Sequence, residues 1–200
     1  MSNKNLILQP NYSSLVGDIS KLLETARKES ARTVNALLTA TYWMIGYRIV
    51  EFEYKDKERV QHYGDNLLNK LSKDLVVKYG RGFSRPNLTN MKQFYKIYTN
   101  KKIRQTLSDK SFTDENFHSI SDYFAIPQTL SAESLLLEIA NNFQLPWSAY
   151  VRLLSVKDND AREFYEAEIL RIGWSVRQLD RQISSQFYER TLLSKNKSKC

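Results

Sequence analysis

Thr39-Ala-Thr-Tyr-Trp-Met-Ile-Gly-Tyr-Arg-Ile-Val50 is apolar almost all the way round a helix, and such a helix has to be covered by neighbours on nearly every side. Upstream of it Leu15, Ile19, Leu22, Leu23, Ala26, Val34, Leu37 and Leu38 recur at intervals of three and four, and no proline interrupts residues 12–54. That spacing predicts one long helix, or two joined near Ser30. Gly46, in the middle of the apolar run, costs a helix about 1 kcal/mol against alanine, so its presence predicts a neighbouring helix in close approach.

The rest of the 200 residues has to supply those neighbours. With 42% hydrophobic residues there is material for a core, and 6 Gly with 4 Pro are too few to punctuate many hairpins, so the expected fold is an all-α, multi-helix domain around a long N-terminal core helix. Lys55-Asp-Lys-Glu-Arg59 reads as a connection. Asp65 is placed to cap a helix that buries Leu67, Leu68, Leu71, Leu75 and Val76 and stops at Gly80. Ser84 is expected to cap a helix to about Tyr98, with Pro86 in its first turn and Leu88, Met91, Phe94, Tyr95 and Tyr98 on its apolar side. Residues 100–130 are polar and weakly periodic and read as a long connection. Beyond it, helices are expected from Ser131, from Leu145-Pro-Trp147 to about Val156, from an Asp158 cap to Ile172, and from Ser175 through Phe187. The domain is read as residues 12–194, with sub-parts 12–99 and 131–194, and 195–200 as a disordered basic tail.

Two stretches share one grammar: Gly82-Phe-Ser-Arg-Pro-Asn-Leu88 and Gly173-Trp-Ser-Val-Arg-Gln-Leu179. Each has a glycine able to take a positive φ, an aromatic anchor, a serine cap, an amide at the third helical position and a leucine entering the core. Helix, glycine turn and capped second helix form a helix-turn-helix-like corner, whose second helix can lie in the major groove of DNA. On the first such helix Arg85, Thr89, Lys92 and Lys96 make one polar stripe with Asn87, Asn90 and Gln93 beside it, and Arg81 adds a phosphate contact at the helix start. On the last, Arg177 and Arg181 stand one turn apart. The plainer reading of both is a solvated amphipathic helix at a corner.

The net charge of +8 is divided by segment: +1 over residues 1–54, +9 over 55–110, −7 over 111–170 and +5 over 171–200. Either the basic segments meet a polyanion, or the acidic segment neutralises a basic one within the chain. No charge-free stretch is long enough to span a membrane, the longest lying between Arg32 and Arg48. Met1 to Gln9 is not a secretory leader, and one cysteine, Cys200, with two distant histidines, His62 and His118, excludes disulfide and zinc scaffolds, so the expected setting is the cytoplasm. No cofactor or metal is called for: there is no phosphate-binding glycine loop, Glu53-Tyr-Lys55 has the (D/E)-x-K form without a strand to carry it, and Glu163, Glu166 and Glu168 cannot share one helix face. No catalytic constellation is found.

Tyr42-Trp-Met-Ile-Gly46, Tyr63-Gly64 before Leu71-Ser-Lys-Asp-Leu75, Gly82-Phe-Ser-Arg-Pro-Asn-Leu-Thr-Asn-Met91 with Phe94-Tyr95, Leu145-Pro-Trp-Ser148 with Leu153-Leu154, Phe164-Tyr165, and Gly173-Trp-Ser-Val-Arg-Gln-Leu-Asp-Arg-Gln-Ile183 with Tyr188-Glu-Arg190 together resemble the N-terminal domain of the bacterial YhcG family. The resemblance covers about residues 14–194. It implies a helical domain of DNA-binding or targeting role coupled to a C-terminal PD-(D/E)XK-type nuclease domain, expected to begin where this chain stops. Two features depart from it: Leu145-Pro-Trp-Ser-Ala149 stands where relatives commonly have a run ending in histidine, and the nuclease motif is absent, so nuclease activity does not carry over to these residues. Double-stranded DNA is then the expected partner. The alternative is a helical protein-interaction or dimerisation module without DNA contact, with Trp43, Trp147 and Trp174 as core anchors and the basic 55–110 face docking an acidic partner; a second copy of the chain is also among its partners.

Overall fold

The computed structural model of the chain describes residues 9–55, 57–99 and 132–197, and eight α-helices carry most of them. The apolar run 39–50 lies in the second half of α1, Gln9–Lys55, which is one helix without a joint at Ser30. Its buried residues begin at Thr39 and include Ala40, Trp43, Tyr47 and Ile49. Helix α2 spans Lys57–Tyr79. It starts before the expected Asp65 cap and runs through that residue, so Lys57, Glu58 and Arg59 belong to helix rather than connection. These are strong helix formers, and the lone Gly64 costs only about 1 kcal/mol, which packing of a long helix absorbs.

Gly80 ends α2 with φ 91°, a value that favours glycine. A short 3-10 turn, Arg81–Phe83, follows, and α3 occupies Arg85–Tyr98. The positive φ of this corner falls on Gly80, the expected left-handed stop of the helix, and not also on Gly82, which lies inside the 3-10 turn. Residues 100–131, including the expected long connection and the Ser131 cap, lie outside the described residues.

The second part comprises α4 (Ala132–Ala140), α5 (Trp147–Leu153), α6 (Asn159–Ile172), α7 (Val176–Ser184) and α8 (Phe187–Lys197). Asp158 caps α6, accepting from the N–H of Asp160 at 2.9 Å, and Gly173 ends it in the left-handed conformation, φ 79°. The single final helix expected from Ser175 is two, broken at Gln186, whose φ is 52°. That break lets α8 fold back: the Tyr188 N–H donates to the Tyr165 hydroxyl at 3.1 Å, and Phe187 meets Phe164 and Trp174. Helix α8 carries the backbone to Lys197, into the stretch read as a tail.

One core joins the two halves. Trp43 of α1, Phe94 of α3, Ile139 of α4, Tyr150 of α5, Tyr165 of α6 and Leu179 of α7 belong to the same buried cluster, so 12–99 and 131–194 share their interior. A second cluster, Ile49, Leu68, Leu88 and Met91, fastens α2 to α1 and α3.

Candidate nucleic-acid interface

The first corner is held by its amide. Asn87 donates to the Gly82 carbonyl at 2.5 Å and accepts from the Trp147 indole N–H at 2.9 Å, tying the turn, α3 and α5 into one unit. Ser84 stands at the cap position with an extended backbone but its side chain makes no capping bond. Below it Leu88, Met91 and Phe94 are fully buried, and α3 packs on α1, α2 and α5.

That packing selects which polar residues face out. Arg81, Arg85, Thr89 and Lys96 are exposed, and Asn90 is half-buried. Thr89 turns its hydroxyl to the Arg85 carbonyl at 3.0 Å. Lys92 leaves the expected stripe: its ammonium lies 2.6 Å from Glu53 Oε1 on α1, and both side chains are largely covered. The exposed face instead runs Arg85, Thr89, Gln93, Lys96, and Gln93 donates to the Leu154 carbonyl at 3.3 Å. The carboxylate of the Glu53-Tyr-Lys55 tripeptide is therefore already paired to Lys92.

The second corner follows the sequence more closely. Gly173 takes the left-handed turn, and Ser175 with Gln178 forms the reciprocal capping box: the Gln178 N–H donates to Ser175 Oγ at 3.3 Å, and the Ser175 N–H donates to Gln178 Oε1 at 2.8 Å. Arg177 and Arg181 are exposed on α7. Leu179 is fully buried, while Trp174 is only half-buried.

Helix α5 stands between the corners, a placement with no signal in the sequence. Gln93 of α3 bonds its end at Leu154, and Arg152 lies 2.5 Å from Asp180 on α7. Asp180, which dilutes the charge of α7 on paper, is thereby spent on a cation of α5. The connection from α5 to α6 is closed by buried Arg162, which donates to the Val156 carbonyl at 2.6 Å and to Asn159 at 2.8 Å. Helix α5 thus touches both α3, which carries Arg85, Thr89 and Lys96, and α7, which carries Arg177 and Arg181.

Among the described residues no helix is long and apolar enough to cross a membrane, and no group of metal-ligating side chains gathers. The sequence matches the family described as DUF1016 N-terminal domain over residues 18–190. It is 50% identical over 192 residues to the Escherichia coli (strain K12) protein named "Putative nuclease YhcG", covering 94% of this chain and 48% of that protein. The chain thus spans about half the length of this curated relative. No solved structure matches it.

Proposed function

Because the chain belongs to the DUF1016 N-terminal domain family and its Escherichia coli relative carries the name "Putative nuclease YhcG", we propose that it is the DNA-binding or targeting module of a two-domain nuclease. The observation that carries this reading is that two helices with cationic starts, α3 and α7, both pack against α5. Arg81 and Arg85 flank the start of α3, Arg177 lies in the first turn of α7 with Arg181 a turn further on, and Lys96 extends the first face. Helix starts present unpaired N–H groups and the positive end of the dipole, and with arginine beside them they suit phosphate oxygens. The cleavage chemistry belongs, in this reading, to the part of the relative that this chain does not cover.

Duplex binding followed by fluorescence anisotropy at several salt concentrations tests it. Arg81→Ala, Lys96→Ala, Arg177→Ala and Arg181→Ala should each lower the magnitude of the salt slope by about 1, because each removes one phosphate contact. Arg85→Ala, at the first helical residue, should cost about 1–3 kcal/mol and relax any sequence preference. A combined variant that stays folded by circular dichroism and binds duplex DNA like the parent overturns the reading. Lys92→Ala is no probe of DNA contact, since it strands Glu53.

A further inference from the structure

Helices α3 and α5 lie side by side and run the same way. Asn87, near the start of α3, accepts from the Trp147 indole at the start of α5, and Gln93, further along α3, donates to the Leu154 carbonyl at the end of α5. The exposed face of α3 therefore borders α5: Arg85, Lys96, Thr89 and Gln93 fall within about 80° of the helix circumference, and Gln93, bonded to α5, is the edge of that face. The same holds for the other helix. Asp180, Ser184, Arg177 and Arg181 are exposed within about 100° of the circumference of α7, and Asp180, paired to Arg152 of α5, is the edge. Both edges meet α5 at residues 152–154.

The exposed part of α5 and of the turn after it has the chemistry of a phosphate contact. Ser148, Ser155 and Lys157 are exposed, and no acidic residue occurs from Phe143 to Lys157, although the surrounding segment 111–170 has a net charge of −7. Two carbonyls that would repel phosphate at the end of α5 are taken: that of Leu154 by Gln93, and that of Arg152 by the Ser155 hydroxyl at 2.7 Å. Asp180 brings a carboxylate to the same place, and Arg152 offsets its charge. Arg152 Nε lies 2.5 Å from Asp180 Oδ1, and Nη1 of the same guanidinium donates to Ser155 Oγ. With its side chain only 27% exposed, Arg152 is held more firmly than the members of an open surface pair.

We propose that the exposed side of α5 joins the faces of α3 and α7 into one surface for the backbone of duplex DNA, and that Arg152 is its positioning residue, holding the Asp180 carboxylate so that it does not oppose phosphate beside Arg177 and Arg181. This surface rests on the DNA-binding reading above and adds to it a continuous path between the two helices. Fluorescence anisotropy of the whole chain with a mixed-sequence duplex, at about 100 mM salt, tests it. Arg152→Gln should weaken binding at least about threefold, because Asp180 is left uncompensated within a Debye length of the phosphates; Asp180→Asn should tighten it by a similar factor, and the double variant should return to within about twofold of the parent. Glu29→Gln makes the same change of net charge on the exposed first half of α1, and should leave binding within about twofold. Ser148→Glu, in the first turn of α5 where an acid favours the helix, should weaken binding about tenfold without lowering the melting temperature. Should Arg152→Gln fail to fold, Asp180→Asn against Glu29→Gln decides the same point, since Asp180 is exposed. Equal binding by those two variants, or a loss in Arg152→Gln that Asp180→Asn does not repair, overturns the positioning role. Parent-like binding by Ser148→Glu, while Arg85→Ala and Arg177→Ala weaken binding, overturns the joined surface and leaves the DNA-binding reading standing; a parent chain that binds no duplex overturns both.

Discussion

Gly46 sets how closely α1 and α3 can lie. A methyl group built on it would overlap the Met91 carbonyl oxygen and sit 2.9 Å from Tyr95 Cβ, with backbone as the main obstacle. Glycine to alanine inside a helix ordinarily stabilises by about 1 kcal/mol. Here the sign should reverse: Gly46→Ala is expected to cost about 2–3 kcal/mol, because the two helices must be forced apart in a packed core. Urea unfolding measures it, and a variant at least as stable as the parent would mean that α3 can shift freely. The need for glycine was legible in the sequence because an apolar helix that tolerates a glycine usually does so for a neighbour. The fate of Lys92 was not, since periodicity places it one turn from Lys96 on a polar stripe, whereas Glu53, its partner, is 39 residues away on another helix.

Among the elements, the two corners separate what local grammar can and cannot tell. Ser175 and Gln178 form both bonds of the box their spacing predicts, so Ser175→Ala should cost about 0.5–2 kcal/mol. Ser84 has the same position but makes no capping bond. Pro86, at the second helical position, has no N–H to offer a cap, and Asn87 holds the turn through Gly82 instead. Ser84→Ala should accordingly be close to neutral. Thermal unfolding of the two variants checks the contrast, and equal losses would refute it. The break at Gln186 was illegible for a related reason: a non-glycine residue at φ 52° is unfavourable locally and is held by the Tyr165–Tyr188 bond and the aromatic contacts of Phe187. The early start of α2 was hidden because a charged run reads equally well as connection and as solvated helix.

At the scale of the molecule, the all-α class and the long core helix follow from composition and periodicity, while the joining of both halves in one interior depends on contacts across more than a hundred residues, such as the buried Thr39 hydroxyl donating to the Leu145 carbonyl at 3.5 Å. One junction of the three helices α3, α5 and α6 is polar. Tyr98 of α3 and Tyr150 of α5 surround Glu166 of α6, with the Tyr150 hydroxyl donating to Glu166 Oε1 at 3.3 Å. Burial, reinforced by the charge of Glu166, pushes both phenols well above the ordinary tyrosine value of 10.0. Below pH 10 both folded and unfolded chains keep these protons, so they add no pH dependence. Above it the unfolded chain releases them while the folded chain holds them, and stability falls as pH rises, by up to about 1.4 kcal/mol per pH unit for each phenol. Tyr150→Phe removes one of the two groups. It should cost about 1 kcal/mol at pH 8, where its hydrogen bond is lost, and this deficit should shrink between pH 10 and pH 11 as the parent weakens faster. Urea unfolding of parent and variant at pH 8, 10 and 11 reads the difference directly; a deficit that stays constant across that range would mean that Tyr150 ionises in the folded chain as readily as in the unfolded one, and that the junction of α3, α5 and α6 is open to water.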